Sequence, residues 1–214
     1  MDQRHSGSRW VPAIALALMS LATGPVTAQA QSPDFVPVTD AMLQNPAPAD
    51  WLMWRRTLDG WGYSPLDQID RENVGELQMV WSRALTRGSN QGTPLVYDGV
   101  MYMPNPRDVI QAIDAVTGDL TWEHRREVPD DVKDFLLGNL ADTNRNVAIY
   151  GNLIIDTSAD EYVFALDATT GELVWETQIL DYKTLPAHQS SGPIIADGKI
   201  ISGRGCMPEA GPNA

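Results

Sequence analysis

An all-β repeat architecture is what this sequence predicts, and three observations carry the prediction. The segment Ala165–Trp175 (ALDATTGELVW) nearly copies Ala112–Trp122 (AIDAVTGDLTW), fifty-three residues earlier, in the shared pattern A-x-D-A-x-T-G-x-L-x-W. A fixed period of that size marks a repeat fold. A hairpin signal precedes each copy, Asp98-Gly99 before the first and Gly151-Asn152 before the second, and Asp197-Gly198 follows as a third. Such dipeptides between apolar runs join antiparallel strands. A hairpin followed by the strand–turn–strand of the repeat makes one unit of four antiparallel strands. Units of this kind, repeating about every fifty residues, are the blades of a β-propeller.

Within the repeat, Asp114 and Thr117 can cap free backbone donors, and Gly118 can take a positive φ without steric cost. Leu120 and Trp122 then share one face of the outgoing strand by its period of two. One hairpin cannot bury so short an apolar face, so neighbouring copies must stack and share it. Trp122 and Trp175 are expected in equivalent places between blades.

From the N-terminus, residues 1–30 read as an export signal. Arg4, His5 and Arg9 form a basic start, Trp10 to Ala22 an apolar run, and Ala28-Gln29-Ala30 an A-x-A cleavage site. The apolar run is too short to remain as a membrane span. No cysteine follows it to carry a lipid, and the mature N-terminus is expected at Gln31, in the periplasm.

Residues 31–78 form an N-terminal arm. Pro33, Pro37, Pro46 and Pro48 keep its first part extended, with one helical turn expected around Asp40 to Gln44. The aromatic and glycine-rich segment from Trp51 to Leu66 is expected to plug the end of a core. A short helix over Asn73 to Leu77, capped by Asp70 or Asn73, leads into a strand at Met79-Val80-Trp81. Residues 79–214 then form the propeller part: that lone strand, two whole blades (about Gly92 to His124 and Asn146 to Gln178) and the first hairpin of a third. About two and a half blades are expected here from a larger propeller, which closes with four to eight.

The charge balance narrows the partners. With 15 Lys and Arg against 28 Asp and Glu, the formal charge is −13, so nucleic acid is not an expected partner, because phosphate backbones demand a basic footprint. No apolar run of spanning length follows the signal. The single cysteine, Cys206, has no disulfide partner within the chain, the histidines His5, His124 and His188 are scattered, and no C-x-x-C-H for haem occurs.

Tyr63-Ser64-Pro65-Leu66-Asp67-Gln68-Ile69 with Asn73-Val74, Gly92-Thr93-Pro94-Leu95-Val96 and the doubled tryptophan motif together resemble the periplasmic quinoprotein alcohol dehydrogenases of the methanol and ethanol type. The resemblance runs from about Trp51 to Ala214. It implies an eight-bladed propeller that holds pyrroloquinoline quinone and a calcium or lanthanide ion. Such an enzyme oxidises a primary alcohol and passes electrons to a c-type cytochrome.

The same resemblance assigns cofactor-binding roles to Arg145, Ser190 and Gln91, and a metal carboxylate to Glu209, although the spacing through Arg204 to Pro208 departs from the family pattern. Asn139-Leu140 stand where many members have an adjacent cysteine pair over the quinone. The catalytic base and most metal ligands are implied in later blades, so no catalytic residue is assigned in this chain. A non-enzymatic propeller with similar repeats, serving as an envelope assembly scaffold, is the alternative.

Overall fold

A computed structural model describes residues 35–136, 142–185 and 187–206. Two four-stranded antiparallel sheets dominate it. The first runs β1 (Leu95–Tyr97), β2 (Val100–Asn105), β3 (Val109–Asp114), β4 (Leu120–Arg125), and the second β5 (Ala148–Tyr150), β6 (Leu153–Thr157), β7 (Tyr162–Asp167), β8 (Leu173–Gln178), each in simple meander order. A two-stranded pair, β9 (Ala187–His188) with β12 (Gly205–Cys206), accompanies the hairpin β10 (Ile194–Ala196)–β11 (Lys199–Ile201). The architecture is that of two complete blades and the first hairpin of a third, as the repeat predicts.

The hairpin turns form where the sequence places them, and their backbone signs explain the residues. Asp98-Gly99 and Asp197-Gly198 have positive φ at both positions, which matches the right-handed twist of the strands. In the Gly151-Asn152 turn of the second blade only Gly151 is positive. The two sheets also share a fault. The register of β3 against β4 slips between Ala112 and Ile113, and that of β7 against β8 between Ala165 and Leu166, so Trp122 pairs with Ala112 as Trp175 does with Ala165.

The doubled motif works as a socket and a plug. Asp114 Oδ1 accepts from the backbone N–H of Val116 and Thr117, both at 2.8 Å, and Asp167 Oδ1 does the same for Thr169 and Thr170 at 2.9 and 3.0 Å. Each turn so fixed turns its alanine carbonyl outward to the preceding tryptophan. Trp81 Nε1 donates to Ala115 O at 3.1 Å, and Trp122 Nε1 to Ala168 O at 3.0 Å. The glycine is obligatory for two reasons: φ is +73° at Gly171, and a Cβ there would lie 2.5 Å from the Trp122 ring. Two residues past each tryptophan a second bond follows, Arg83 to Gly118 O at 3.4 Å and His124 Nδ1 with Gly171 O at 3.1 Å. Trp122 is 8% exposed in its socket.

The core lies where the sheets face one another, through Ile110, Ala112 and Trp122 of the first blade and Ile149, Ile154, Phe164 and Leu166 of the second. The N-terminal arm crosses the hairpin-turn end of the blades. Val38 bridges to Gly151, Trp51 to Val96, and Asp40, at the start of α1 (Asp40–Gln44), accepts from Tyr150 Oη at 2.8 Å and from Gly198 N at 3.2 Å. The arm thus ties together the first hairpins of all three units.

Three expectations change. Met79 and Val80 are more than 80% exposed and Met79–Trp81 pairs with no strand among the described residues. A strand exists only with a neighbour to complete its ladder, and here only the Trp81 side chain is anchored. The helix expected over Asn73 to Leu77 shrinks to a 3₁₀ turn, Val74–Glu76, and it is Asp70 that takes the backbone donors of Glu72 and Asn73. Within the aromatic segment Leu52 is buried, but Trp61 and Tyr63 are 77% and 70% exposed, so only its first part plugs the core.

Candidate functional site

Each blade begins at the end opposite the sockets, because its first strand enters there and runs toward the hairpin turn. Three entry segments lie at that end: residues 91–94 before β1, 144–147 before β5 and 190–193 before β10. Arg145 links all three. Its Nε donates to Gln91 Oε1 at 2.9 Å, across 54 residues of sequence, and its Nη1 to Ser190 Oγ, across 45. The three residues that the resemblance assigns to the cofactor are therefore brought together around one guanidinium. Nη2 has no hydrogen-bond partner among the described residues, and the guanidinium is half-buried.

Glu209 and the Asn139-Leu140 pair lie outside the described residues. Among the described residues no group of three or more His, Cys, Asp or Glu side chains could hold a metal ion.

The same end carries a set of buried charges that the sequence reading missed. Asp108 and Glu161, one repeat period apart, occupy equivalent turns, both with positive φ and both buried. Asp108 accepts from Ala159 N at 3.2 Å, which couples the blades, and burial raises its pKa to about 7. Glu161 pairs with Arg204; burial raises the carboxyl despite that cation. Arg126 pairs with Asp160 at 3.0 Å and with Glu176, and its guanidinium lies 4.7 Å over the Tyr162 ring. Asp156 is fully buried, and burial first, then the nearby Asp108, push its carboxyl well above the usual range. The recurrence of an acid at 108 and 161 was the signal available in the sequence.

A guanidinium whose Nη2 has no partner among the described residues, set at the convergence of three blades, suits a planar ligand bearing carboxylate or carbonyl oxygens. The family profile described as PQQ: glucose/ethanol/alcohol dehydrogenase, β-propeller domain, matches residues 51–174. The chain belongs to this family.

Among relatives, the dehydrogenase subunit of the quinone-type alcohol dehydrogenase of Gluconacetobacter polyoxogenes is 38% identical over 164 residues, which is 74% of this chain and 22% of that protein. The structure of the quinohemoprotein alcohol dehydrogenase ADHIIG of Pseudomonas putida superposes with a TM-score of 0.72 at 31% identity, over 79% of this chain and 25% of that one. A europium-containing methanol dehydrogenase superposes with a TM-score of 0.69 at 25% identity, over 78% of this chain and 29% of that one. The chain thus spans less than a third of each of these proteins. The residues matched by the family profile include Gln91 and Arg145, and Ser190 lies beyond them. No helix among the described residues is long and apolar enough to cross a membrane.

Proposed function

We propose that this chain supplies the first blades of an exported quinoprotein alcohol dehydrogenase, and that Arg145, with Gln91 and Ser190, holds pyrroloquinoline quinone. The observation that carries the reading is the convergence of these three side chains from three blade entries. Gln91 and Ser190 each take one donor of the guanidinium and leave Nη2 for an anionic ligand. A cation held this way binds carboxylate or carbonyl oxygens without first having to be ordered. Glu209 is proposed as a ligand of the metal, calcium or a lanthanide, in keeping with the europium-containing relative.

Bound quinone supplies two-electron oxidation of a primary alcohol to an aldehyde. This chain's contribution is binding and orientation; the base that takes the alcohol proton is assigned to blades outside it. A c-type cytochrome is the proposed acceptor, consistent with the haem in the name of the quinohemoprotein relative. Residues 1–30 are proposed as the cleaved signal that delivers the protein to the periplasm, and mass spectrometry of the mature N-terminus from the native host would test this by finding or not finding Gln31.

The functional test is reconstitution of the full-length protein carrying this chain with quinone and either calcium or lanthanum, followed by dye-linked oxidation of ethanol. Arg145→Ala is expected to weaken quinone retention or turnover by about 10², as loss of a charge-assisted bond of roughly 1.5–3 kcal/mol implies. Arg145→Lys restores only part, since an ammonium lacks the planar fork. Full activity in the Ala variant would remove Arg145 from the site, and a full-length protein that binds no quinone would leave the scaffold reading.

A further inference from the structure

Arg145 is the centre of a tripeptide pinned on every side. Its neighbours Asn144 and Asn146 are buried, 4% and 8% exposed. Asn144 Nδ2 donates to Asp156 Oδ2 on β6 at 2.5 Å, and the other oxygen of that carboxyl accepts from Thr157 N at 2.7 Å. The carbonyl of Arg145 accepts from Thr93 N of the first blade at 2.7 Å. Asn146 Oδ1 accepts from Gly192 N at 3.2 Å, and a Cβ on Gly192 would fall 1.5 Å from the Asn146 carbonyl oxygen. The backbone that carries the guanidinium is therefore tied to three blades, and one tie runs through a fully buried acid.

Burying an acid is costly unless its oxygens are satisfied. An apolar pair would hold blade 2 together as well, without that cost. What Asp156 adds is direction: it fixes the Asn144 side chain, and with it the path of the chain into Arg145. We infer that Asp156 and Asn144 are positioning residues for the Arg145 site, holding its backbone so that the guanidinium meets Gln91 and Ser190 before any ligand arrives. Preorganisation of this kind is what makes a charged donor effective, and misplacement by about 1 Å is enough to cost 10²-fold. The inference rests on the reading of Arg145 as the quinone-side cation.

The test is a double-mutant cycle on quinone affinity in the full-length protein carrying this chain, read by quenching of tryptophan fluorescence as pyrroloquinoline quinone is added to the quinone-free protein. Arg145→Ala is expected to weaken affinity about 10²-fold and Asn144→Ala about tenfold, while the double variant is no weaker than Arg145→Ala within about twofold. A further tenfold loss in the double variant would show Asn144 acting without Arg145, and would overturn the inference. Unchanged affinity in Asn144→Ala beside a weakened Arg145→Ala would overturn it and leave the reading of Arg145 standing. Unchanged affinity in Arg145→Ala would overturn both.

If Asn144→Ala does not fold, an isosteric exchange answers the same question. Asn144→Asp alone sets two carboxyls face to face and should weaken quinone binding about tenfold or more. Adding Asp156→Asn restores an N–H···O bond with donor and acceptor exchanged, and should bring affinity back to within about threefold of the starting protein. An exchanged pair that folds and still binds as poorly as Asn144→Asp would overturn the inference.

Discussion

The two ends of each blade are built on opposite plans. At the turn end the same parts recur at a fixed period: an aspartate that fixes the turn, an alanine carbonyl, a glycine and the tryptophan that docks from the preceding unit. At the entry end Gln91, Arg145 and Ser190 are three different residues, and each of the nearby buried acids has its own partners. Repetition serves stacking, because every joint between blades is the same joint. Difference serves binding, because a ligand without the symmetry of the blades needs a different group from each. The repeated tryptophan joints accordingly sit at one end and the residues proposed to hold the ligand at the other.

The strongest way to break that comparison is to empty a socket. Trp122→Ala removes a buried indole and is expected to cost about 3–5 kcal/mol in urea unfolding. The same change at Trp175, half-buried and without a socket among the described residues, costs less. Equal costs would mean that docking contributes nothing beyond the blade itself.

Next in size is Gly171→Ala, which puts a Cβ against the Trp122 ring at a φ of +73°. Overpacking of about 1–3 kcal/mol adds to roughly 1–2 kcal/mol for the left-handed backbone. Gly99→Ala is the control: it has the same sign of φ, and nothing within 4 Å of the added Cβ, so it should show only the backbone part.

Asp108→Asn sharpens the comparison at the entry end through its pH dependence. Burial raises the Asp108 pKa from 3.8 to about 7, with the charges of Asp160 and Asp142 adding to the rise and Ala159 N and Arg126 opposing it. The folded state then holds this proton more tightly than the unfolded chain, so stability falls as pH rises from about 4 through about 7. The Asn variant lacks that loss. Its melting temperature should gain on the parent protein steadily between pH 5 and about pH 7 and then level off, and a constant offset from pH 5 to pH 7 would contradict the assignment.

Trp122→Phe is the smallest effect. It keeps a six-membered aromatic ring but loses the pyrrole portion of the indole and with it the bond to Ala168 O, an acceptor that Tyr102 Oη still occupies at 3.2 Å, so about 1–2 kcal/mol is expected in the same urea experiment. A loss as large as that of Trp122→Ala would shift the weight of the joint from ring packing to the hydrogen bond.

Much of the turn end was legible in the sequence because its causes are local or periodic. Asp-Gly and Gly-Asn specify hairpins through backbone sterics, and a motif repeated at fifty-three residues specifies stacking, since each copy needs a neighbour. Even the glycine followed, although only its positive φ could be reasoned from the motif and the structure adds the ring of Trp122. Local logic failed at Met79–Trp81, where an apolar run promised a strand but a strand also needs a partner, and at Trp61 and Tyr63, whose burial depends on what lies over them.

The entry end was legible only as a set of names. Gln91, Arg145 and Ser190 came from resemblance, and no periodicity joins residues 54 and 45 positions apart. Their meeting around one guanidinium was decided by the stacking angle of three blades. The ties through Asp156 and Gly192 were likewise tertiary: one joins two side chains 12 residues apart within the second blade and the other joins a side chain to a backbone N–H 46 residues on, and neither has a local sequence cause, because the folded sheets set each partner's position.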